Sequence, residues 1–152
     1  MARGLRSGLV GTTALLLLVW SALASAQSGF QGTGYKIIVN SAQTATTIEK
    51  TVLADIFLGK TTRWRDGSRI TPIDRSSQSP LRIAFTKEVL GETMAAAMGY
   101  WVRQMSSGAA RPPTVKDKHE DVIAFVASNA GAIGYVSEEA TLPPTVKALK
   151  VQ

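Results

Sequence analysis

Asp74-Arg75-Ser76-Ser77-Gln78-Ser79-Pro80-Leu81-Arg82 joins two segments of different periodicity. Arg69–Ile73 before it reads as a strand, and Leu81–Leu90 after it carries helical spacing. Ser79 is placed to be the N-cap of that helix and Pro80 its first residue, where a missing N–H costs least. Arg75 and Arg82 flank the serine cluster. A cation in a first helical turn opposes the dipole by a few tenths to about 1 kcal/mol. Two readings answer that penalty. Either the arginines are solvated or paired with Asp74 and Glu88, or an anion sits on the free N–H groups and hydroxyls of the helix start. Local pattern leaves both open.

The same alternation extends outward in both directions. Tyr35–Asn40 (YKIIVN) reads as a short buried strand. Thr46-Thr47-Ile48-Glu49 fits a capping box, and Ile48, Val52, Leu53, Ile56 and Phe57 follow helical spacing to a stop at Gly59. Asp66-Gly67 signals a turn, and Trp64 beside it reads as cover for one edge of the core. The helix begun at Ser79 should stop at Gly91. A third helix, Glu92–Met105, places Met94, Met98, Trp101 and Met105 on one face, which predicts a core stripe. Ser106–Val115 contains two prolines and reads as a loop. A helix from about Lys116, with Val122, Phe125 and Val126, precedes strands at Ala132–Val136 and Val146–Val151. Strands alternating with helices predict an α/β layer fold around a small, partly parallel sheet.

Residues 1–26 read as a signal peptide. Arg3 and Arg6 form a positive start, Ala14–Trp20 an apolar run, and Ala24-Ser25-Ala26 a cleavage site. The run is too short to span a bilayer, so no stable membrane anchor is expected after cleavage. Gly/Ser/Gln-rich 27–34 is a flexible lead-in, and 35–152 a single domain. An exported chain without cysteine points to a bacterial periplasm, with stability supplied by the core. The formal charge of +6, reduced by two on loss of Arg3 and Arg6, mildly favours anionic ligands. Its scatter, with no basic patch interleaved with aromatics, argues against nucleic acid.

Catalytic patterns fail one by one. Gly59-Lys60-Thr61 resembles the end of a phosphate-binding P-loop, but Ala54 stands where that motif needs Gly. Gly29, Gly32 and Gly34 have the wrong order for a dinucleotide fingerprint. His119 is the only histidine, and Asp117, Glu120 and Asp121 beside it suit a helix's first turn better than a zinc site. No nucleophile elbow exists, and Glu138-Glu139 reads as solvated. No enzyme, metal or cofactor is expected.

Three segments, Leu53–Asp66 (LADIFLGKTTRWRD), Arg75–Thr86 (RSSQSPLRIAFT) and Asn129–Val136 (NAGAIGYV), together resemble the periplasmic phosphate-binding proteins of ABC importers. These belong to the type 2 periplasmic-binding-protein superfamily. The resemblance runs from Tyr35 to about Val136. It implies an α/β fold corresponding to a single lobe of that architecture, a small mixed sheet flanked by helices. It also places the family's anion loop, Arg-Ser-Asp-Gly-Ser-Gly-Thr, on Arg75–Leu81. Arg75, Ser76 and Ser79 match. Ser77 replaces Asp, Gln78 and Pro80 replace Gly, and Leu81 replaces Thr. Pro80 removes one N–H donor and Leu81 one hydroxyl. Ser77 removes the carboxylate that in the family accepts a proton from hydrogen phosphate, so sulfate-like anions lose a ground for exclusion. Arg82 lies outside the family pattern and could replace lost donors. The expected anion-binding set is therefore Arg75, Ser76, Ser79 and Arg82.

The resemblance implies a periplasmic protein that binds phosphate or a similar oxyanion. Its partners would be an ABC transporter or another periplasmic protein. The alternative is a one-lobe protein-interaction module whose anion loop is vestigial.

Overall fold

The computed structural model describes residues 34–152. The signal peptide expected over 1–26 and all but the last residue of the lead-in over 27–34 lie outside the described residues. In chain order the elements are β1 (Tyr35–Asn40), β2 (Thr47–Ile48), α1 (Lys50–Phe57), β3 (Thr71–Asp74) and α2 (Pro80–Phe85), which continues as a π-helical turn (Thr86–Leu90). They are followed by α3 (Met94–Ser106), β4 (Thr114–Val115), α4 (His119–Ser128), β5 (Ala132–Ser137) and β6 (Val146–Val151). The strands form one mixed sheet in the order β2-β6-β1-β5-β3-β4. The central β1 runs antiparallel to β5 and β6, whereas β3 runs parallel to β5 and β4.

Alternation along β1 explains the two layers. Ile37 and Val39 point to one face and Ile38 to the other, and all three are buried, so both faces need cover. Ile37 and Val39 join Leu53, Ile56 and Phe57 of α1, Phe85 of α2 and Tyr135 of β5. Ile38 joins Ile73, Val136 and the α4 residues Val122 and Val126. An aromatic group anchors the first layer. Phe85 stacks on Tyr135 at a centroid separation of 4.3 Å, and Phe57 and Tyr35 meet that pair at an angle.

Three local expectations need correction. The segment Ser106–Val115, read as a loop, ends in β4, because Thr114 and Val115 pair in parallel with Ile73 and Asp74. The capping box at Thr46–Glu49 does not form. Thr47 and Ile48 instead pair in parallel with Lys150 and Val151, and α1 begins at Lys50 with no side-chain cap. The Lys150 N–H donates to the Thr46 carbonyl and the Gln152 N–H to that of Ile48, both at 3.0 Å. That long-range ladder, with Ile48 buried in the core, outweighs a local cap.

The Met94/Met98/Trp101/Met105 stripe of α3 is core only at Trp101: Met98 is 55% and Met105 50% exposed. The helix rests on the body through Ala97 and Trp101, and through the Tyr100 hydroxyl, which donates to the Leu58 carbonyl at 2.7 Å. At about 100° per residue, this contact line lies roughly a quarter-turn from the methionines. Trp101 also accounts for Gly59, whose φ is +72° and where a Cβ would stand 3.2 Å from the indole.

Candidate anion site

β3 delivers Asp74 to the end of the sheet, where the chain turns through 75–79 into α2. Ser79 sits at the N-cap in extended conformation, and its hydroxyl makes no cap bond. The Ser79 N–H instead donates to the Ser76 carbonyl at 2.9 Å, tightening the loop. Ser77, Gln78 and Pro80 are exposed, with Ser76 and Ser79 half-buried. The first-turn N–H groups of Leu81 and Arg82 have no backbone acceptor among the described residues, as expected where no preceding turn exists.

Beneath the loop lies a buried polar cluster. The Asp74 carboxylate is 4% exposed. Its Oδ1 accepts from the Arg75 N–H at 2.8 Å and the Tyr135 hydroxyl at 2.6 Å, and Oδ2 pairs with Arg82. Burial pushes Asp74 above the ordinary carboxylate range, against the opposing pull of Arg82, the Tyr135 hydroxyl and the Arg75 N–H. Burial and the neighbouring carboxylate together raise the Tyr135 phenol, keeping it a donor. Its ring is held by Phe85, so the hydrophobic core itself aims this hydroxyl.

Arg75 turns the other way, toward the start of α4. It is 7% exposed. Its Nη2 donates to the Asp117 carbonyl at 2.5 Å, and its Nη1 lies 3.3 Å from His119 Nδ1. Its Nε has no partner among the described residues. His119 Nδ1 also accepts from the Ser137 N–H at 3.3 Å. With two donors on Nδ1, the ring proton belongs on Nε2. Burial, then the Arg75 charge, holds the His119 pKa below its ordinary value. Arg75 therefore has only neutral partners, and no carboxylate among the described residues forms an ion pair with it. Among the described residues the cluster holds two guanidinium groups and one hydrogen-bonded carboxylate, with the Glu120 charge acting on His119 from outside it.

Of the four expected anion residues, the structure brings Arg75 and Arg82 together around Asp74, one bonded through its main chain and one through its side chain. Ser76 and Ser79 lie on the loop above. Glu88 is not part of the cluster; it accepts from the Tyr35 hydroxyl at 2.9 Å. Tyr135 and His119 were not legible as members. Each is far from the loop in sequence, and each sits in a local pattern that reads as ordinary strand or helix.

Residues 27–151 match the family model described as a PBP superfamily domain. The chain belongs to this family. No curated protein matches it. Among solved structures, this PBP domain is similar to an ABC-type phosphate transport receptor from Vibrio cholerae, at TM-score 0.61 and 21% identity, covering 78% of this chain and 46% of that one. It is likewise similar to a Clostridium perfringens protein described as a phosphate ABC transporter substrate-binding protein, solved with bound phosphate. That match has TM-score 0.61 and 23% identity, covering 78% and 44% of the two chains. A third is PstS from Borrelia burgdorferi, at TM-score 0.57 and 18% identity, covering 78% and 47%. At these identities the shared property is the fold. The PBP domain spans less than half the length of each.

Proposed function

We propose that this PBP domain binds an oxyanion, phosphate being the first candidate, at the 75–82 loop. In this reading it is exported to the periplasm after loss of 1–26 and acts as a single lobe serving a phosphate importer. The carrying observation is Arg75. An arginine that is 7% exposed, with an unpartnered Nε and no counter-ion among the described residues, is costly unless something negative completes it. Arg75 supplies the charge, the Ser76 and Ser79 hydroxyls and the Leu81 and Arg82 N–H groups supply donors, and the Arg82 side chain holds Asp74 in place. The phosphate-bound relative with the same fold supports the choice of ligand.

Calorimetric titration with phosphate and with sulfate tests the reading. Saturable heat at millimolar anion is expected, weakened at least about tenfold by Arg75→Ala and less by Arg75→Lys, because a charge-assisted contact contributes roughly 1.5–3 kcal/mol. Absence of heat with both anions, or equal binding by Arg75→Ala, rejects it.

A second reading, a protein-interaction module with a vestigial loop, draws on α3. Met98, Val102 and Met105 all stand at least half exposed there, along one side of the helix. It predicts no anion dependence and loss of a specific partner on Met98→Lys.

A further inference from the structure

The segment 62–70 forms a small antiparallel hairpin outside the anion site. Arg63 and Arg69 are bridge partners across it. The flanking bonds are Trp64 N–H to Ser68 carbonyl and Ile70 N–H to Thr62 carbonyl, both 2.9 Å. That pattern makes Arg63 and Arg69 a non-hydrogen-bonded pair, the kind in which opposed side chains come closest. Like charges placed directly opposite destabilise a strand pair. Arg65 adds a third exposed cation at the turn.

Alternation fixes which way the hairpin faces. Trp64 and Ile70 point inward: the Trp64 indole N–H donates to the Gly131 carbonyl at 3.1 Å, and Ile70 is buried in the core. Arg63 and Arg69, the neighbours of these two residues, therefore occupy the outer face. Among the described residues Asp66 forms no ion pair with them, and its Oδ1 accepts from the Ser68 N–H and hydroxyl, at 2.8 and 2.6 Å. The Arg63 guanidinium donates to the Gly67 carbonyl at 2.8 Å, which orders the side chain without neutralising it.

We infer that the Arg63/Arg65/Arg69 face is a docking surface for an acidic protein segment. Guanidinium groups carried on directly opposed residues suit bidentate pairing with carboxylates, and a partner's carboxylates relieve the repulsion between them. A lipid surface is the weaker fit. Stable residence on a membrane takes an apolar signal in addition to basic residues, and the hairpin's aromatic residue points into the core.

The probe is a dye-labelled octaglutamate peptide, followed by fluorescence anisotropy with the purified protein. Binding is expected at low salt and should be lost at about 0.5 M salt. Arg63→Ser/Arg69→Ser should weaken it about tenfold, while Lys50→Ser/Lys150→Ser, exposed at the β2–β6 edge of the sheet, should leave it within about twofold. Arg69→Ser alone, which leaves the Arg63–Gly67 bond in place, should melt no lower than the parent, because a repulsive pair has been removed. Equal loss in both double variants overturns the inference, as does a lower melting temperature for Arg69→Ser. Tighter arginine-dependent binding to phosphatidylserine vesicles than to the peptide also overturns it, in favour of a membrane.

Discussion

His119 shows how one side chain can tie stability to pH. Its Nδ1 accepts from both Arg75 and the Ser137 N–H, so protonation there would remove two bonds and place two cations together. Its pKa is lower in the folded chain than the ordinary 6.5. The folded state thus binds this proton less readily than the unfolded state. The stability His119 contributes is present above about pH 6.5 and is lost as pH falls through the folded value. Melting curves across pH 5–8 should show this loss in the parent and a flatter slope in His119→Gln. Identical slopes would show that His119 has no such role. Thr86 offers the opposite case. Its hydroxyl is fully buried with no partner among the described residues. Thr86→Val keeps the shape and removes the unsatisfied group, so it should stabilise by about 1 kcal/mol in denaturant titration.

Elements position the site through close backbone approach. β5 enters beside β3 at Gly131, whose carbonyl accepts both the Thr71 N–H at 2.9 Å and the Trp64 indole. A Cβ at Gly131 would stand 2.0 Å from the Arg69 carbonyl oxygen. That neighbour is backbone and cannot swing away. Gly131→Ala should therefore cost about 2–3 kcal/mol, read as a lower melting temperature, and should loosen the parallel pairing that carries Asp74. An unchanged melting temperature would mean the two strands separate without cost. Most elements were legible because they follow local periodicity. β1, α4, β5 and β6 lie close to where apolar patterning puts them, and Gly59 and Gly91 end their helices with positive φ. The exceptions have one cause. At Thr46–Glu49 a long-range strand ladder displaced the cap, and on α3 the contacts of Ala97, Tyr100 and Trp101 with distant segments determined which face is buried.

At the scale of the whole molecule, the described residues form one lobe-sized layer structure. Receptors that close two lobes over a ligand exclude water from charged contacts and strengthen them. On the proposed reading, an anion held by the 75–82 loop alone stays partly wet, so millimolar affinity is expected. A ligand at a hundred times its Kd adds about 2.7 kcal/mol to stability, which here needs about 0.1 M phosphate. Salts of this kind also stabilise folded proteins without a site. The specific part is the difference between the parent and Arg75→Ala in thermal shift at equal phosphate. No difference would leave only the general salt effect and reject the site.

The amino-acid sequence by itself determined the α/β class, most element positions, the strand-to-helix loop at Asp74–Arg82 and its departures from the family pattern. These are matters of local spacing and residue chemistry, which a linear chain displays directly. Only the tertiary structure decided how the two arginines divide. Arg82 goes to Asp74, while Arg75 goes to the Asp117 carbonyl and His119 and has no counter-ion among the described residues. That outcome depends on Tyr135 and His119, brought from distant segments by the packing of β5 and α4 against β3. Charge balance in a buried cluster is set by which groups share the space, and local spacing does not record it.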